Sequence, residues 1–132
     1  PNFYHDQESS KKAISQIQEF LDDFPNSEYS KDADKLINEL RTRLAEKNME
    51  TGKLYVKLKA YDSAIVSYKI VVNEFYDTKF FNDANMEIIR CLALQKKSDE
   101  AKQYLTELEI NEKSVVTDSF KEQALSVIKD NS

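Results

Sequence analysis

The chain has 132 residues, a net charge of −5, one Gly, two Pro, one Cys and one His. Length sets it at a single domain, and the scarcity of Gly and Pro speaks against an all-β protein, whose turns need them. One Cys excludes an internal disulfide framework and a thiolate zinc finger, one His excludes a two-imidazole site, and the acidic balance disfavours a nucleic-acid surface.

Apolar residues recur at helical spacing along the whole chain. The stripe Ile14, Ile17, Leu21, Phe24 predicts a helix over 8–24, and Phe24-Pro25-Asn26-Ser27 ends it. Ser27 is placed to cap the next helix, expected over 28–59 with its stripe on Ile37, Leu40 and Leu44. Nothing in that span breaks a helix except Gly52, and 46–51 holds only Met49 as an apolar residue, so no coiled-coil seam survives. Ile65, Tyr68, Val72 and Phe75 predict a helix over 61–75. Ala84, Ile88 and Cys91 mark one over 79–95, Ala101, Leu105 and Leu108 one over 98–109, and Phe120, Ala124 and Val127 one over 115–130. Asp77-Thr78 and Ser98-Asp99 are placed as further caps, while residues 1–7 and 130–132 are expected to fray.

The chain repeats itself. At an offset of 51, Ala13-Ile14 matches Ala64-Ile65, Phe24 matches Phe75, Asp32-Ala33 matches Asp83-Ala84, and Ile37 matches Ile88. At an offset of 37, Asp62-Ser63-Ala64 matches Asp99-Glu100-Ala101. Such periods mean stacked supersecondary units. The long second helix then ends one repeat and begins the next. The middle unit carries the tetratricopeptide pattern in Gly52, Tyr55, Ala64 and Tyr68: small residues for close helix approach, aromatics for the gaps between layers. The expected fold is therefore an all-α tetratricopeptide-repeat solenoid of antiparallel helix pairs, with one long shared helix, forming a single domain over 1–132.

The stretch 20–29, Phe-Leu-Asp-Asp-Phe-Pro-Asn-Ser-Glu-Tyr, followed by Asp32-Ala33, resembles periplasmic tetratricopeptide proteins of Gram-negative bacteria. Residues 40–47, Tyr55, Ala60-Tyr61 and 71–78 narrow the resemblance to the C-terminal half of the BamD family, outer-membrane lipoproteins of the β-barrel assembly machinery. The likeness runs from about Asp6 to Glu109, and Tyr76, where the pattern has Pro, departs from it. The resemblance implies a fragment of a longer chain that is lipid-anchored, faces the periplasm, and docks a periplasmic domain of the central barrel subunit. It implies no enzyme activity, no cofactor, no small-molecule substrate and no nucleic acid. A Tol-Pal coordinator is the nearest rival, and would have a turn near 46–51. A cytoplasmic adaptor clamping a carboxylate is another, but the positions where such clamps use Lys and Asn fall here on Met49 and Lys53, a poor match.

Single residues carry little chemistry. Cys91 lies on an apolar stripe and reads as core. His5 with Asp6 and Glu8 lacks the ligand cluster a metal needs. Asp22-Asp23 and Asp99-Glu100 are paired acids, the second pair at a helix N-terminus where the dipole favours it. Positions two and six after the pattern Ala face water: Ser15 and Glu19 in the first unit, Gln103 and Glu107 in the third. In the middle unit they are Val66 and Ile70, an apolar pair that either docks the partner, with Ser67 and Asn73 as a polar rim, or is buried against a neighbouring helix of the chain.

Overall fold

The computed structural model describes residues 3–132, with side chains from residue 7 onward. The expected side-chain roles of His5 and Asp6 lie outside the described residues. Six helices run in order: α1 Phe3–Asp23, α2 Ser30–Lys57, α3 Tyr61–Glu74, α4 Phe81–Leu94, α5 Ser98–Ile110 and α6 Asp118–Asp130. No strand occurs among the described residues, so the all-α helical-repeat class holds. Pro1–Glu46 and Lys47–Ser132 each form a compact unit, and α2 crosses from one to the other without a break.

α1 begins at Phe3. At the other end of the chain, hydrogen bonds reach Asn131 and Ser132. Asn131 Nδ2 donates to Val127 O at 2.8 Å, Lys96 Nζ donates to Asn131 O at 2.8 Å, and Ser132 Oγ donates to Lys129 O at 2.8 Å.

The capping chemistry differs from expectation. Ser27 sits in the turn before α2, its Oγ accepting from Tyr29 N at 3.2 Å, and the helix starts three residues later. α4 and α5 start on Phe80 and Lys97, without side-chain caps. Thr78 Oγ1 instead donates back to Phe75 O at 2.7 Å, closing the end of α3. The one side-chain cap resolved among α3–α6 is Thr117, which accepts from Phe120 N at 3.1 Å and delays α6 from the expected 115 to 118.

The two repeat offsets have distinct structural bases. The α1–α2 turn carries the bonds Ser27 N to Phe24 O (3.1 Å), Ser30 N to Ser27 O (3.1 Å) and Ala33 N to Tyr29 O (2.9 Å). The α3–α4 turn repeats each of them 51 residues on: Thr78 N to Phe75 O (3.1 Å), Phe81 N to Thr78 O (3.3 Å) and Ala84 N to Phe80 O (2.9 Å). Tyr76 thus occupies the place of Pro25 in the same turn geometry. Its ring takes the Lys113 ammonium 4.6 Å from the centroid, a cation–π contact that joins this turn to the loop after α5.

The offset of 37 joins two helix ends. Lys59 and Lys96 have φ of +58° and +64°, a left-handed conformation usually given to Gly. Ala60 N donates to Tyr55 O and Lys59 N to Val56 O, both at 2.9 Å. Lys97 N donates to Leu92 O at 3.0 Å and Lys96 N to Ala93 O at 2.9 Å. Each set is a Schellman closure. α2 therefore begins like α4 shifted by 51 and ends like α4 shifted by 37, and its 28 residues exceed the 14 of α4 by the difference of the two offsets. Fourteen residues make about 3.9 turns, so the added stretch returns to within about 40° of the same face.

Inside the larger unit, α2 and α3 meet where Gly52 faces Tyr68. A Cβ on Gly52 would lie 2.5 Å from Cε1 and Cζ of that ring. Tyr68 is fully buried, with Ala64, Val71 and Phe75 on the same side of α3. Tyr55, expected buried with them, is half-buried: it lies near the end of α2, where the helix terminates and covers less. α4 is the central helix, packing on α3, α5 and α6. Met86, Ile89 and Ala93 of α4 meet Ala101, Leu105 and Leu108 of α5 and Ala124, Val127 and Ile128 of α6 in one cluster. Tyr104 Oη donates to the buried Asn85 Oδ1 at 2.6 Å, pinning α5 to α4.

The smaller unit is α1 and the start of α2. Here Phe24 is 59% exposed although its counterpart Phe75 is 4% exposed, and the Phe20 ring lies tilted against it, ring centroids 5.6 Å apart.

Gly52→Ala is expected to lower unfolding free energy by ~1–3 kcal/mol in urea melts, since overpacking against a ring with nowhere to move outweighs the better helix propensity of Ala. Lys59→Gly should act the other way, raising stability by ~0.5–1 kcal/mol through relief of the left-handed strain. Lys96→Gly should gain less, because it also loses the bond to Asn131.

Candidate docking surfaces

The residues singled out from the sequence fall on two separate surfaces of the larger unit. Val66, Ile70 and Asn73 lie on α3 at spacings of four and three, one face of the helix. Val66 is 62% exposed, Asn73 is exposed, and Ile70 is half-buried. Ser67 is buried, turned 100° from Val66 onto the packed side of α3, so it forms no polar rim. The equivalent positions elsewhere are polar and exposed: Ser15 and Glu19 on α1, Gln103 and Glu107 on α5. On α5 they bond to each other, Gln103 Nε2 donating to Glu107 Oε1 at 3.3 Å.

Met49 and Lys53 lie on a second surface, a groove of about 300 Å³ between α2, α4 and α6. Met49 is buried in its floor rather than offered at a rim, whereas Lys53 is exposed at the edge. The groove is also lined by Phe80, Asn82, Asp83, Met86 and Glu87 from the start of α4 and by Phe120 and Gln123 from α6. Met86 stands 37 residues after Met49, so the repeat that closes the two helix ends also sets the two methionines side by side. Nothing in the tetratricopeptide pattern marks Phe80, Phe120 or Asp83; the 37-residue spacing from Met49 was the available signal for Met86. Glu87 pairs with Arg90 at 3.5 Å across one helical turn. Asp83 is exposed and carries no ion pair among the described residues.

The side chains with shifted acidity line neither surface. Cys91 is fully buried, and burial, reinforced by nearby Glu87, pushes its thiol up to about 11. Tyr68 and Tyr104 are likewise raised above the usual phenol range, chiefly by burial. Among the described residues no group of three metal-ligating side chains gathers, and no helix is long and apolar enough to cross a membrane.

Helix pairs closed by Schellman turns define a helical-repeat fold. Comparison with known proteins narrows the class: the chain belongs to the outer membrane lipoprotein family YfiO, whose profile matches residues 1–107. It is similar to the outer membrane protein assembly factor BamD of Rickettsia prowazekii, 27% identical over 107 residues, covering 81% of this chain and 43% of that protein. It is also 27% identical over 97 residues to the outer membrane protein assembly factor BamD of Caulobacter vibrioides, covering 74% of this chain and 32% of that protein. The chain therefore spans less than half the length of these curated relatives. The matched region stops before α6.

The buried acids give a pH signature. Above pH ~9 the Cys91 thiol ionises in the unfolded chain but stays protonated in the fold up to about 11, so the native state binds more protons and stability falls as pH rises through that window. The buried Tyr68 and the half-buried Tyr104 extend the fall to higher pH. Urea melts from pH 8 to 11 should show this decline, and Cys91→Ala should make it shallower.

Proposed function

We propose that this chain is the docking half of an outer-membrane assembly factor: a non-enzymatic scaffold that holds a periplasmic domain of the barrel subunit. In this reading the full-length protein sits at the periplasmic face of the outer membrane through a lipid anchor, and works through protein partners. Family membership and the assembly-factor names of the relatives support the general role.

The observation that carries the docking role is Val66. A β-branched apolar side chain stands 62% exposed at a repeat position where the other units present Ser15 and Gln103. Ile70 and Asn73 extend the same strip of α3, with Ile70 as the half-buried base and Asn73 as the polar edge. A strip of this kind can supply the apolar centre of an interface. The continuity of α2 through 46–51 weighs against the Tol-Pal coordinator, whose helix pairs would turn there. The burial of Met49 weighs against a carboxylate clamp at that position.

Val66→Glu should leave the melting temperature within about a degree of the original, since the side chain is mostly in water. The same change should weaken capture of the barrel subunit's periplasmic domain by ~1–3 kcal/mol, measured by calorimetry or surface resonance. Ile70→Glu should cost stability as well as binding, because its base is covered. A Val66→Glu protein that folds and binds with unaltered affinity would refute docking on α3.

A further inference from the structure

The groove between α2, α4 and α6 lies apart from the α3 strip, and its features are more specific than a generic apolar hollow. Its floor is built from Met49 and Met86, each 5% exposed. Phe80 at the start of α4 and Phe120 on α6 are half-buried at its walls. Methionine is unbranched and polarisable, and accommodates apolar side chains of different shape at little cost. A volume of about 300 Å³ admits one or two large apolar side chains, not a folded domain.

Charge at the mouth is directional. Asp83 and Glu87 stand one turn apart on α4. The Glu87 carboxylate is shared with Arg90, so Asp83 is the acid left open to a ligand. Lys53 stands on α2, at the other side of the groove. Lys79 Nζ lies 5.3 Å from the Phe80 ring centroid just before α4, so a cationic group on a ligand is favoured at Asp83 and disfavoured beside Lys53 and Lys79, and the chain's net charge of −5 adds long-range attraction for it.

We propose that this groove binds a short peptide segment of a partner protein. The segment presents one large apolar side chain to the two methionines, with a Lys or Arg close by that reaches Asp83. Apolar burial supplies the affinity, and the carboxylate sets the orientation of the segment and its register.

The protein has only two methionines, and both line the groove. Labelling the methionine methyl groups with carbon-13 therefore gives two signals, each a reporter of this site. Phage-displayed random dodecapeptides selected on the protein should enrich a Leu, Met or Phe with Lys or Arg within four positions. A synthetic peptide of the enriched sequence should shift both methyl signals. Asp83→Asn should weaken it by about fivefold and Asp83→Lys by more, with a smaller effect of Asp83→Asn in high salt. Val66→Glu, on the other surface, should leave peptide affinity unchanged, so loss of α3 docking and loss of groove binding are read separately. The proposal is overturned if selection enriches no peptide or acidic ones. It is also overturned if the enriched peptide leaves both methyl signals in place, or if both Asp83 variants, folded by circular dichroism, bind it as the original does.

Discussion

A missing Cβ sets the geometry of the larger unit. Gly52 lets the backbone of α2 come against the Tyr68 ring at a distance no side chain could share. That approach buries the ring completely and holds α3 in register with the end of α2. α3 in turn packs on α4, and α4 carries α5 and α6. Close packing makes such a contact unforgiving, because a buried aromatic ring has no empty volume into which to retreat. Gly within a helix costs backbone entropy, and here the cost is offset by the aromatic surface that the close approach removes from water.

The long helix follows from the repeat rather than from any unusual helix propensity. α2 has the start of one repeat and the end of the next, with no turn between them. Its added 14 residues are close to four whole turns, so they nearly restore the face that the shorter α4 presents. The two lysines in left-handed conformation show the same economy at the helix ends. A hydrogen-bonded closure is kept at Lys59 and Lys96 although Gly would adopt the backbone with less strain.

The surfaces separate by the same logic. Positions that pack in every repeat are apolar in every repeat, as Ala64 and Ala101 are, both fully buried. Positions that face water in α1 and α5 are polar, and in α3 they are Val66 and Ile70. The groove arises differently. It needs the ends of three helices to come together, and α6, which brings Phe120, lies beyond the region shared with the family.

The sequence by itself determined what depends on local order. The six helices, the unbroken α2 and the small-to-aromatic spacing from Gly52 to Tyr68 all follow from periodicity and from a pattern of fixed offsets. Family resemblance was legible for the same reason, being carried by short runs such as 20–29 and 71–78. Only the tertiary structure decided the matters that depend on which faces meet. Ser67 was adjacent to an exposed residue in sequence, yet a 100° step along α3 buries it. Met49 sat in a polar stretch and read as an inner-face position, yet α4 and α6 converge over it and make it floor. Ser27 had the chemistry of a cap, but the turn it joins delays α2 to Ser30. Tyr55 fits the repeat pattern while remaining half-buried, since a pattern specifies which side chain points inward and the neighbouring helices specify how much of it is covered.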